Sequence, residues 1–209
     1  FGTAGVCLLI ALLQLMFINL DIDKRTFTTL GATGVSAAVI GWTFLLKPYQ
    51  KLRVLNLVNP NLDPMGSGYN SLQSLVAVGS GGALGKGFLQ GTQSHLQFLP
   101  ARHTDFVFSV FAEEHGFWGS VFVFVLFALL TYAALEIART ARDSYLALLA
   151  VGIAALIFVE FIINVAMVSG VFPVVGMPLP FFSHGGSALI TMSVSVGLLV
   201  GIERDSMRE

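Results

Sequence analysis

His115–Leu135 reads HGFWGSVFVFVLFALLTYAAL, a run with no Asp, Glu, Lys or Arg. About 20 apolar residues cross the hydrocarbon core of a bilayer as a helix, so this segment is long enough to span one. The same reading applies outward in both directions. Phe1–Leu20, Thr26–Leu46 and Phe161–Ile202 also lack charge, and Ser144–Val159 is charge-free until Glu160 interrupts it. The whole chain is 209 residues, 55% hydrophobic and only 11% charged. Soluble domains carry about 25% charged residues. The expected fold is therefore all-α, a polytopic transmembrane helix bundle. Five spans are expected near 2–20, 27–46, 106–138, 145–169 and 184–202, with a long extracytoplasmic loop over 47–104.

Orientation follows Lys and Arg in the short connections. Lys24 and Arg25, Arg139 and Arg142, and Arg204 and Arg208 fall in regions that five spans would place on one side. Those regions are assigned to the cytoplasm, which puts 47–104 and 170–183 outside. A net charge of -1 argues against nucleic acid as a partner. Cys7 is the single cysteine, so no disulfide forms within one chain. The chain opens inside an apolar run without Met, as a fragment of a longer protein would.

A loop of this length is far beyond the usual 4–6 or so residues between elements and is expected to carry function. Asn59-Pro60 and Asp63-Pro64 mark turns at its start. Ser71–Val78 sets Leu72, Leu75 and Val76 on one helical face, suited to the membrane surface. Glycines from Gly79 to Gly91 then interrupt regular structure. On the other outer segment, Pro173, Pro178 and Pro180 forbid one unbroken helix across 170–187. Irregular backbone at membrane depth survives only against protein or a cavity, so this segment is expected to fold back on the bundle.

The polar residues between Ser80 and Glu114 carry the candidate chemistry. GSGGALGKG at 79–87 fails the P-loop spacing, since Ser80 stands where the first glycine belongs and Gly87 where Ser or Thr belongs. What remains is a Gly-rich turn whose N–H groups and Lys86 would cradle an anion, or a flexible loop with a solvated lysine. Asp105 lies where polar loop becomes apolar helix: either a helix cap at Thr104 or Asp105, or a general base. Glu113 and Glu114 fall two turns deeper, about 12 Å along the helix, and need interior partners whether their role is structural or functional. Glu160 and Asn164 share a helical face within the fourth span, as a packing contact or part of a polar cavity.

Taken together, these motifs resemble the SEDS family of shape, elongation, division and sporulation proteins, typified by RodA and FtsW. The resemblance rests on NPNLDPMGSGYN at 59–70, VGSGGALGKGFLQGTQSHLQFLP at 78–100, RHTDFVFSVFAEEHGFWG at 102–119, INVAMVSGVFPVVGMPLPFFSHGGS at 163–187 and the opening FGTAG. The GKG, GTQS and RHTDF wording is closer to the RodA branch. The resemblance implies about ten transmembrane helices in the parent, of which residues 1–209 would be the C-terminal part of one domain. It implies peptidoglycan glycosyltransfer: polymerisation of lipid II at the outer face of the cytoplasmic membrane during elongation and shape maintenance. The family's essential aspartate falls on Asp105, its turn lysine on Lys86, its histidine on His103 and its acidic pair on Glu113 and Glu114. Arg102, Ser183 and Ser187 complete the candidate substrate-binding set. The implied partners are lipid II, a class B penicillin-binding protein and the elongation machinery.

Chemically, Asp105 would take the proton of the acceptor hydroxyl while Lys86 and Arg102 neutralise the departing lipid diphosphate. A divalent cation, Mg or Mn, is the one cofactor this scheme admits. Ala101, His115, Glu160 and His184 depart from the family's usual residues. The rival class is a precursor flippase or other transporter, in which intramembrane Glu160 would matter more than Asp105. A scaffold for a partner enzyme is a third.

Overall fold

The computed structural model describes residues 2–17, 46–57, 59, 66–92 and 104–207. Among them every regular element is a helix: α1 (Gly2–Phe17), α2 (Pro48–Leu55), α3 (Ser67–Ser80), α4 (Val107–Thr140), α5 (Ser144–Val168) and α6 (Gly186–Ser206). Three of these, α4, α5 and α6, are long and apolar enough to cross a membrane. The protein is thus a multi-pass helical membrane protein, and α4, α5 and α6 begin and end within about four residues of the third, fourth and fifth expected spans. The 16 described residues of α1 rise about 24 Å, and the expected span 27–46 lies outside the described residues except for Leu46.

Lipid tails are as apolar as leucine, so membrane helices associate by close packing rather than by a hydrophobic drive. The α4–α5 seam has the composition this requires. Ala134, Ala138, Ala150 and Ala154 are buried along it and let the backbones approach. Aromatic rings fill the wider gaps: Phe127 stacks on Phe161 at 4.2 Å, and Phe124 meets Phe161 edge-on at 4.9 Å. α1 lies against the same helix, where Gln14 occupies the notch left by Gly152 and Val6 packs with Val159 and Met177. The large apolar side chains that remain exposed, such as Phe122, Leu129, Leu189 and Ile190, face outward, as in a lipid-bathed bundle.

α3 turns its small polar side inward. The Ser74 hydroxyl donates to the Val168 carbonyl at 2.8 Å, leaving Ser109 to donate to Ser74 Oγ at 2.8 Å. Its opposite face, with Leu72, Leu75 and Val76, is exposed. The helix runs through Gly79 and ends at Ser80, two residues later than the glycine pattern suggests.

α4 is not one continuous rod. Gly116, at φ +67° and ψ −160°, breaks it. A break at membrane depth leaves carbonyls and N–H groups that need partners, and the Gly-rich turn supplies both. The N–H groups of Lys86 and Gly87 donate to the carbonyls of Glu113 and Glu114 at 3.0 Å each. Beyond the break, the N–H groups of Phe117 and Trp118 donate to the carbonyls of Gly82 and Ala83 at 2.9 and 3.3 Å. The turn is spliced into the helix. A Cβ on Gly85 would overlap the backbone of Glu114 and His115, and one on Gly116 the backbone of residues 83–85. The N–H groups of Lys86 and Gly87 are thus engaged by α4 rather than offered to an anion, and the turn is pinned rather than a flexible loop.

The segment between α5 and α6 contains no helix, in keeping with its prolines, and folds back on the bundle with Met177 and Leu179 buried.

Candidate active site

Asp105 lies in a turn, Thr104–Phe106, that precedes α4. Phe106 is the N-cap, with no side-chain cap bond, so neither Thr104 nor Asp105 caps the helix. The reason is packing: Phe106 is 1% exposed, and seating its ring in the core sets the helix start. The capping reading is therefore set aside, and among the described residues no side chain bonds to the Asp105 carboxylate.

The backbone of the turn, by contrast, is held at two successive carbonyls. The Ser183 hydroxyl donates to the Thr104 carbonyl at 2.6 Å while accepting the Leu179 N–H at 2.6 Å. Asn164, one turn before the end of α5, donates from Nδ2 to the Asp105 carbonyl at 3.0 Å and to the Met177 carbonyl at 2.6 Å. The carboxylate of Asp105 lies beside Gly176, where a Cβ would sit 3.1 Å from Oδ2. Gly176 has φ +76°, so both its conformation and its missing side chain serve the approach. Two residues earlier on that segment, the exposed Arg53 of α2 donates to the Val174 carbonyl at 3.1 Å. Asp105, Gly176 and Arg53 are thus gathered along one strip of irregular backbone from elements far apart in sequence.

A second polar cluster sits at the α4 break. Glu113 is fully buried. Its Oε1 accepts from Lys86 Nζ at 2.8 Å, the Thr92 N–H at 2.8 Å and the Thr92 hydroxyl at 3.0 Å. Lys86 Nζ also donates to Thr92 Oγ1 at 2.8 Å, and its side chain is 29% exposed. Buried charges are stable only when paired and bonded in this manner. The lysine is neither loosely solvated nor an uncompensated cation. Glu114 is buried beside it, and its carbonyl accepts from Gly87.

Of the other sequence candidates, Ser187 is exposed in the first turn of α6, where its carbonyl accepts from Thr191. Arg102 and His103 lie outside the described residues. Asn164 does not hydrogen-bond Glu160, with which its spacing paired it; it reaches past the helix end to the Asp105 turn. Asn164 and Gly176 are the positions that residue-by-residue reading left without a role at this site. An amide in an otherwise apolar span was the available signal for the first. Alongside the site, a cavity of about 320 Å³ is lined by Val78, Gly82, Phe108, Ala112, Phe117 and Phe124 among others, beginning one turn past Asp105.

Against known proteins, the family described as Cell cycle protein, FTSW_RODA_SPOVE, matches residues 1–208. Peptidoglycan glycosyltransferase MrdB of Escherichia coli (strain K12) is 43% identical over 199 residues, which are 95% of this chain and 54% of the relative. Peptidoglycan glycosyltransferase RodA of Treponema pallidum is 43% identical over 175 residues, 83% of this chain and 40% of the relative. Stage V sporulation protein E of Bacillus subtilis is 41% identical over 180 residues, 86% of this chain and 48% of the relative. The chain spans about half the length of the curated relatives it matches. Among solved structures, a chain from a peptidoglycan synthase complex described as coordinating polymerization and crosslinking superposes with a TM-score of 0.80 at 31% identity, covering 100% of this chain and 57% of that one. A Thermus thermophilus RodA variant gives 0.51 at 27% identity over 78% of this chain and 60% of that one.

Proposed function

The chain belongs to the FtsW, RodA and SpoVE family of cell cycle proteins, and we propose that it is the C-terminal, site-bearing part of a peptidoglycan glycosyltransferase that polymerises lipid II. The carrying observation is Asp105. Its backbone is stapled at both neighbouring carbonyls, while its carboxylate is left without a bond from the described side chains. A structural aspartate bonds with its carboxylate; a general base keeps it available and fixed in place.

In the proposed reaction the Asp105 carboxylate takes the proton from the sugar hydroxyl of the acceptor. The oxygen attacks the anomeric carbon of the donor, the bond from that carbon to the diphosphate oxygen breaks, and the anomeric centre inverts. The lipid diphosphate leaves with the electron pair. Its negative charge needs cations aimed where it develops. Lys86 is matched by Glu113 at 2.8 Å, so the pair carries no net charge and supplies less field than a lone ammonium would. Arg53 is the better-placed described cation: its guanidinium, held on Val174, lies along the same strip as Asp105 and has further N–H groups to offer. Arg102 is its companion in this scheme. Among the described residues no group of three or more His, Cys, Asp or Glu side chains could hold a metal. A Mg or Mn ion, if used, would take most of its ligands from the diphosphate and water and would help neutralise the leaving group. The apolar cavity beginning at Phe108 is the proposed seat of the lipid tail.

This reading places the protein in the bacterial cytoplasmic membrane, with a class B penicillin-binding protein as the crosslinking partner and the elongation machinery as its context. The experiment that separates it from a flippase uses the purified full-length parent with lipid II in detergent, where there is no bilayer to cross. Glycan strands form if it is a polymerase; unchanged lipid II would return the case to transport and to Glu160.

A further inference from the structure

We infer that Asn164 is a positioning residue, which sets the separation between the Asp105 carboxylate and the 174–177 segment; this rests on Asp105 acting as the base proposed above. Asn164 is fully buried on an apolar helix, where a polar side chain is unfavourable unless its groups are bonded. Its carboxamide has two N–H groups, and both are committed to carbonyls: Asp105 at 3.0 Å and Met177 at 2.6 Å. Both partners are acceptors, which fixes Nδ2 rather than Oδ1 on that side.

Those two carbonyls belong to opposite walls of one seam. Asp105 is the first wall. The residue before Met177 is Gly176, whose absent side chain makes the room in which Asp105 Oδ2 lies. One rigid amide therefore ties the carboxylate-bearing turn to the wall it faces. Ser183 holds the preceding carbonyl and keeps the turn from pivoting. Asn164 Oδ1 is buried without a hydrogen-bond partner among the described residues. Such an orphaned acceptor is what packing alone selects against, and it is tolerated where the geometry of the donors matters more. Misplacing a reacting group by about 1 Å costs about 100-fold in rate.

The test uses the purified full-length parent and measures kcat for lipid II polymerisation together with the Kd for labelled lipid II. Asn164→Ala is expected to lower kcat by about 10- to 100-fold, with Kd within about threefold of wild type. Asn164→Ser keeps one donor and is expected to fall between the two; it also carries the test if the alanine variant fails to accumulate. Unchanged kcat in both variants, or kcat and lipid II binding lost in parallel, would show Asn164 to be a packing residue and overturn the inference. Asp105→Asn, measured alongside, separates this from the underlying reading. Wild-type polymerisation by that variant removes the base itself, whereas its loss beside an unimpaired Asn164→Ala removes only the positioning role.

Discussion

Replacing Lys86 by alanine tests whether the Gly-rich turn is anchored by an ion pair or merely presents a cation. In the structure the change removes the Lys86 ammonium from the fully buried Glu113 carboxylate. Removing one partner of a buried pair typically costs about 3–5 kcal/mol. Two features lower that figure here. The Lys86 side chain is 29% exposed, so water screens part of the attraction. Glu113 Oε1 also keeps the Thr92 N–H and hydroxyl, at 2.8 and 3.0 Å. The expected loss is therefore about 2–3 kcal/mol, at or just under the lower edge of that range. Adding Glu113→Gln removes the negative charge that Lys86 balanced and retains an acceptor for Thr92. The double variant should thus be more stable than Lys86→Ala alone, with a coupling of about 1–3 kcal/mol between the sites. The assay is the denaturation midpoint of the full-length parent in detergent for wild type, both single variants and the double variant. Wild-type stability of Lys86→Ala, or simple addition of the two single losses, would refute the anchored-turn argument and return Lys86 to the role of a free cation.

The splice at the α4 break makes a prediction from geometry alone. Gly85→Ala and Gly116→Ala each place a Cβ on opposing backbone at positive φ and should sharply reduce folded protein in the membrane, whereas Gly79→Ala meets nothing within 4 Å and should be tolerated, as expression and melting of the three variants will show. For the diphosphate, Arg53→Ala should weaken lipid II turnover by about 10- to 100-fold, the equivalent of one or two charge-assisted hydrogen bonds. Arg53→Lys should recover only part of it, because a point charge replaces a planar fork. Equal kcat/KM for Arg53→Ala and wild type would remove Arg53 from the site.

Most of the bundle was legible because its signal is local. An uninterrupted apolar run of sufficient length needs no partner to be read, and α4, α5 and α6 fall close to where such runs put them. The broken segment between α5 and α6 was legible for the same reason, since prolines act on their own backbone. Pairings between distant residues were not legible. Glycines 82, 85 and 87 have positive φ, yet what they accommodate is a helix break about thirty residues away, so from sequence they read as either an anion-cradling turn or a flexible loop. Lys86 and Glu113 each stood out, but nothing in their spacing joined them. Asp105 read equally as a cap or a base, because Thr-Asp before a helix suits both; the cap falls on buried Phe106, and no described side chain bonds to the carboxylate. Asn164 lies one turn from Glu160 on the same face, and only tertiary structure shows that it reaches beyond the helix end to Asp105 and Met177.

Under the proposed function the Asp105 carboxylate itself, and not merely its place in the fold, takes the proton. Asp105→Asn is close to isosteric, keeps the backbone carbonyl that Asn164 holds, and removes the negative charge and with it the ability to take a proton. The initial rate of lipid II polymerisation by the purified full-length Asn variant, at matched melting temperature and matched lipid II binding, tests this directly. Loss of general-base catalysis predicts a fall of about 10²- to 10⁴-fold. Polymerisation at the wild-type rate would contradict the account and require the base to be found elsewhere.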